Sequence, residues 1–137
     1  MKFKNVVNNT HALDWAVLAW LAEPRTTVYW STHHHATVSR ELDRLRDLIF
    51  EHPIEGLQPD RFVHRNGEEE IRFTNGSRVM FRARVFHSGR GIVADKLVLD
   101  EAYALTDTQL GTLLPLAHAK GSEIVYAQTE DPRLAII

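Results

Sequence analysis

The sequence predicts an α/β domain whose sheet is mostly parallel, with an antiparallel β-hairpin inserted into it. Three observations carry this. The elements run helix–strand–helix, then a hairpin, then strand–helix–strand. Lys96–Leu99 is short and apolar, the pattern of a strand covered on both faces. Asn75-Gly76 separates two segments that alternate apolar and polar residues, a strong hairpin signal because both turn positions tolerate positive φ.

Each element has a local reason. Asn8, Asn9 and Thr10 can cap a helix from about His11 to Ala22, which Pro24 ends. Its apolar residues cover nearly the whole circumference, so it should be largely buried. Thr26–Ser31 is β-branched and aromatic, a short strand. Thr37–Phe50 places Val38, Leu42, Leu45, Leu48 and Ile49 at helical spacing with Arg and Asp opposite, and Pro53 and Gly56 close it. Glu70–Thr74 and Arg78–Arg84 form the hairpin, with Ile71 and Phe73 on one face and Val79 and Phe81 on one face of the partner. Phe62–His64 is a candidate third strand. A helix follows near Asp107–Leu116, capped by Thr106 or Asp107, and Glu123–Gln128 is the last strand. Trp15, Trp20 and Trp30 read as core.

The totals bound the function classes. A chain of 137 residues, 44% hydrophobic and 25% charged, fits one globular domain spanning 1–137. No apolar run approaches the ~20 residues of a membrane span, and the polar N-terminus is no secretory signal. Without cysteine there is no disulfide framework or thiolate chemistry, which fits a cytoplasmic location. The net charge of −2 predicts no general attraction to nucleic acid, so any such contact needs a local patch.

In an α/β sheet, ligands collect at the carboxyl ends of the strands, and there the sequence places Asp100 and Glu101. An acidic pair at the end of a buried strand suits nucleotide hydrolysis: one carboxylate holds Mg²⁺ through water and the next polarises the attacking water. The alternative is that Asp100 caps the following turn and Glu101 is solvated.

The flanks carry a resemblance. Ile71-Arg72-Phe73-Thr74-Asn75-Gly76-Ser77, on through Phe81-Arg82-Ala83-Arg84, then Ser88-Gly89-Arg90-Gly91, Leu97 to Ala102 and Leu113-Leu114-Pro115 resemble the ATPase domain of phage large terminase subunits, the motors that pump viral DNA into capsids. Val28-Tyr29-Trp30-Ser31 and Val125-Tyr126-Ala127-Gln128-Thr129 are similar to that family's second core strand and coupling strand. The resemblance implies a partial P-loop NTPase fold of the ASCE type, in three layers. It implies Asp100 as the Walker B aspartate associated with Mg²⁺, Glu101 as the catalytic glutamate, Thr129 with Gln128 at the γ-phosphate, and Arg90 near the nucleotide, at a subunit contact or bonded to a carboxylate. ATP, Mg²⁺, double-stranded DNA, a portal and a small terminase subunit are the implied cofactors and partners, in the bacterial host cytoplasm.

A phosphate loop needs a strand, a glycine-rich turn and Gly-Lys-Ser/Thr opening a helix, and no such stretch occurs. Phe3-Lys4-Asn5 resembles the Gly-Lys-Asn of some phage terminases, so Lys4 is either the relic of the Walker A lysine or part of a basic terminus. The expectation is a terminase fragment, natural or engineered, lacking the first core strand, the Walker A segment and the nuclease domain, and weak or inactive as an ATPase alone. A non-catalytic prophage remnant that self-associates through the sheet edge bared by the missing first strand and a DEAD-like helicase fragment are the alternatives. Arg72, Arg78, Arg82 and Arg84 could share a hairpin face and contact DNA phosphates, or be a solvated face with glutamates pairing across strands. His33-His34-His35 reads as a polar strand-end loop rather than a metal site.

Overall fold

The computed structural model describes residues 6–7, 10–84, 92–118 and 121–127. Its elements are β1 (Val6–Val7), α1 (Thr10–Leu21), β2 (Thr27–Thr32), α2 (His35–Glu51), β3 (Pro59–Val63), β4 (Glu70–Phe73), β5 (Arg78–Ala83), β6 (Lys96–Leu99), α3 (Asp107–Leu113) and β7 (Glu123–Ala127). They build one seven-stranded sheet in the order β1-β7-β6-β2-β5-β4-β3. β1, β7, β6, β2 and β5 run parallel, while β4 is antiparallel to β5 and to β3. This is a mixed α/β architecture with an antiparallel insert, as the element pattern predicted.

Alternation along the strands makes two cores. On one face Val28, Trp30, Val79, Phe81, Val98 and Val125 meet α1 through Leu13, Val17, Leu18 and Leu21, and α2 through Val38, Leu42, Leu45 and Ile49. On the other, Tyr29, Leu97, Leu99 and Tyr126 meet Leu113, Leu116 and Ala94. Both faces of β2, β6 and β7 are therefore covered, which is why Lys96–Leu99 is apolar at consecutive positions. Each fully buried aliphatic or aromatic side chain contributes roughly 1.5–3 kcal/mol.

Three expectations change. A strand does precede α1: Val6 and Val7 pair in parallel with Tyr126 and Ala127, on the edge expected to be bare. Two residues are too short a run for periodicity to reveal. The helix α1 is not buried all round, because it lies on one face of the sheet and leaves Ala12 and Ala19 exposed and Trp15 and Trp20 half-buried. The Asn-Gly turn does not place both residues at positive φ. Gly76 has φ 87° and Asn75 does not share it; the Asn75 amide donates to Leu21 O at 2.8 Å and its oxygen accepts from the Ser77 N–H at 2.9 Å. The connection is thus a three-residue loop with glycine alone in the left-handed position, docked on the end of α1.

Smaller shifts follow from local chemistry. The capping box at Thr106 and Gln109 starts α3. Pro115 ends the regular helix early and opens a 3₁₀ turn over Leu114–Ala117. β3 begins at Pro59, before the expected Phe62, because Pro59 and Arg61 already pair with Phe73 and Arg72 across a bulge.

Candidate functional site

The parallel strands β2, β5 and β6 end side by side, and the acid pair starts where β6 stops. Asp100 is fully buried and Glu101 nearly so. The Asp100 N–H donates to Ser31 O at 2.8 Å, so the backbone continues the β2–β6 ladder for one more residue. The carboxylate of Asp100 accepts from the Trp30 indole N–H at 3.1 Å and from the Glu101 N–H at 2.8 Å. A buried carboxylate fixed by two N–H donors keeps its direction.

Glu101 adopts the left-handed conformation, φ 52° and ψ 46°. A non-glycine residue there stores of the order of 1–3 kcal/mol, a cost that clusters at functional sites. The bend starts a 3₁₀ turn over Ala102–Ala104 and points the side chain back at β2. There Oε1 accepts from the His33 N–H at 3.1 Å, and Oε2 lies 3.4 Å from the Tyr103 hydroxyl. Each acid therefore has its own anchor, and the two carboxylates are held apart.

Arg84 corrects one expectation. Alternation along β5 would put it on the outer hairpin face, but it is buried, and its guanidinium donates to backbone carbonyls of Ser31, Asp100 and Glu101. Burial pushes its pKa down to about 10, against the pull of Glu101 and Asp100. Arg84 is thus a neighbour of the acid pair and not a surface cation.

The other three arginines do share a face. Arg72 pairs with Arg78 across the hairpin, and Arg78, Met80 and Arg82 follow at alternate positions. Arg72 is held by Glu70 at 3.0 Å, and Arg82 donates to Glu69 O at 2.6 Å and Phe81 O at 2.8 Å. The carboxylate partner is a neighbour on the same strand, not the cross-strand partner expected.

Lys4, Arg90, Gln128 and Thr129 lie outside the described residues. His33 and His34 join β2 to α2, with His34 as the helix cap, and His35 is the first residue of α2. Burial lowers the pKa of His33, with His34 and Arg84 acting in the same direction and Glu101 opposing. Among the described residues no three His, Asp or Glu side chains converge as metal ligands.

Sequence reasoning missed a second buried group behind the pair. Arg44 holds Asp14 at 2.7 Å and also bonds Glu41, both nearly or fully buried. Burial raises Glu41 to about 8, Arg44 pulling it down and Asp100 pushing it up. The available signal was Asp14, the lone acid in an otherwise apolar helix, which needs a buried cation.

The chain is thus a mostly parallel sheet, covered on both faces, with an acidic pair at the carboxyl end of the inner strand β6. No family model matches the sequence, and no curated protein is similar to it by sequence. Solved structures are similar in fold. The large terminase of a thermophilic bacteriophage, solved in complex with ADP, superposes with a TM-score of 0.64 at 11% identity over 90% of this chain and 33% of that one. A second crystal form of that terminase gives 0.64 at 11%, over 91% and 33%. The ATPase domain of a Thermus phage large terminase gives 0.55 at 14%, over 95% and 62%. The chain has the fold of large terminase ATPase domains and spans about a third of the first terminase's length.

Proposed function

We propose that the chain is the ATPase module of a phage DNA-packaging motor, a terminase large subunit, with weak or no ATP turnover on its own. The observation that carries this reading is the placement of Asp100 and Glu101 at the end of β6, in a fold shared with large terminase ATPase domains.

The acid residues fit Mg²⁺. Asp100 is fixed by two N–H donors and would hold the cation through water; a bound cation would neutralise phosphate charge there. Glu101 would orient a water, but its carboxylate is here spent on the His33 N–H and the Tyr103 hydroxyl. The phosphates are a different matter. Only residues 8 and 9 separate β1 from α1, where a phosphate loop needs about six residues before its Lys. Lys4 precedes β1, whereas a Walker A lysine follows its strand. The described residues supply the acids and no cradle for a triphosphate, which supports weak activity. Arg90, Gln128 and Thr129 remain the residues assigned to the nucleotide.

Arg72, Arg78 and Arg82 would contact duplex phosphates, with a portal and a small terminase subunit as further partners in the host cytoplasm. The test is phosphate release from ATP with Mg²⁺ and duplex DNA. The reading expects turnover near background for the chain alone; rapid release abolished by Glu101→Gln would overturn the weak-activity part. DNA binding that ignores salt, or survives Arg72→Ala, Arg78→Ala and Arg82→Ala together, would overturn the DNA part.

A further inference from the structure

We propose that Arg84 is the positioning residue of the acid pair, holding the Asp100–Glu101 turn by its backbone so that both carboxylates keep their place. The purpose assigned to the turn rests on the nucleotide-site reading above; the clamp itself rests on geometry. Nη1 of Arg84 donates to Asp100 O at 2.8 Å, Ser31 O at 3.0 Å and Ser31 Oγ at 3.2 Å, and Nη2 donates to Glu101 O at 3.1 Å. One planar group thus ties the ends of β2 and β6 to the end of β5.

Arg84 is itself fixed from two sides. Its N–H donates to Thr32 O at 2.8 Å, and its carbonyl accepts from the Gln109 amide of α3 at 3.4 Å. The guanidinium can therefore not drift with the turn.

Two details separate this from an ordinary structural arginine. First, the bonds go to carbonyls, which leaves the carboxylates to the N–H groups of Trp30, Glu101 and His33. A cation that chelated the acids would occupy their oxygens; one that holds their carbonyls leaves those oxygens to other groups. Second, the arrangement is poor for stability. Nε of Arg84 is buried with no hydrogen-bond partner among the described residues, an orphan that costs about 1–3 kcal/mol, and apolar residues usually serve a core better than a buried charge. The gain lies in the turn, where Glu101 sits in a conformation that it adopts only if its surroundings enforce it. A lysine cannot substitute, because a point ammonium lacks the planar fork that reaches several carbonyls at once.

The Trp30 indole N–H is bonded to Asp100, so its ¹H–¹⁵N resonance reports the placement of that carboxylate without any nucleotide. Trp15 and Trp20 serve as internal controls. In Arg84→Gln the Trp30 resonance is expected to move while those of Trp15 and Trp20 stay. The Mn²⁺ concentration that half-broadens the Trp30 resonance should rise about tenfold. In Arg84→Ala, millimolar guanidinium should return the Trp30 resonance toward its parent position and ammonium should not, a rescue that lost packing alone does not give. A folded Arg84→Gln with the Trp30 resonance unmoved overturns the proposal. Should neither Arg84 variant fold, Ser31→Ala removes one acceptor of the clamp: a Trp30 shift supports the proposal and an unmoved resonance overturns it. Absence of Mn²⁺ broadening in the parent chain counts against the nucleotide site and leaves the Trp30 test of Arg84 standing.

Discussion

Trp30 and Asp100 show how a single pair of residues sets the state of the site. The indole N–H is 3.1 Å from a carboxylate with no exposure to solvent. Trp30→Phe keeps most of the packing and deletes the donor, so it should cost about 1–3 kcal/mol in a urea melt. Asp100→Asn in the Trp30→Phe background should recover part of that loss, since a neutral amide needs less from its surroundings; no recovery would mean that the indole acts only through its volume. Gly76 is a second residue-scale case. Its φ of 87° and a prospective Cβ 2.9 Å from Arg25 Cγ both oppose a side chain. Gly76→Ala should lower stability by roughly 1–2 kcal/mol, read as a shift in the denaturation midpoint.

Among the elements, α2 combines a buried apolar face with a buried acid, Glu41. Leu42 and Leu45 are nearly or fully buried against the sheet, so Leu45→Ala should cost about 2–5 kcal/mol. On the same helix, burial raises Glu41 to about 8 from 4.5. A carboxyl raised on folding stabilises most below its unfolded value, and that contribution is lost as pH rises from about 4.5 through about 8. The parent chain should therefore lose roughly 2–4 kcal/mol more than Glu41→Gln over that range, measured by urea denaturation at several pH values. Equal losses in the two proteins would show that Glu41 is charged throughout.

The elements themselves were mostly legible, because their signals are local. Lys96–Leu99, the hairpin strands and the spacing of Val38, Leu42, Leu45 and Ile49 each state their structure within a few residues. What depends on distant neighbours was not legible. The strand β1 exists because β7 offers it an edge, not because Val6-Val7 has a period. Arg84 follows the alternation of an outward-facing residue and turns inward because three carbonyls converge on it. The left-handed bend at Glu101 has no glycine to announce it. Asp100 and Glu101 could be found from sequence, since a strand end fixes where such acids go; their anchors could not.

At the scale of the molecule, the sheet gathers an acid pair on one end and a basic hairpin face beside it, linked through β5. Arg72 lies opposite Arg78, and Arg82 follows on the same face; under the DNA contact proposed above, duplex binding should weaken as salt rises, and the triple alanine variant should have a shallower salt slope, by about 2–3 in log–log terms. The same fold leaves a short passage from β1 to α1 where a triphosphate would need a cradle. The acids, and the absence of a triphosphate cradle among the described residues, together are the central claim, and titration of a fluorescent ATP analogue with Mg²⁺ tests it most directly. The account predicts no saturable binding at micromolar concentration; micromolar binding that disappears in Asp100→Ala would contradict it.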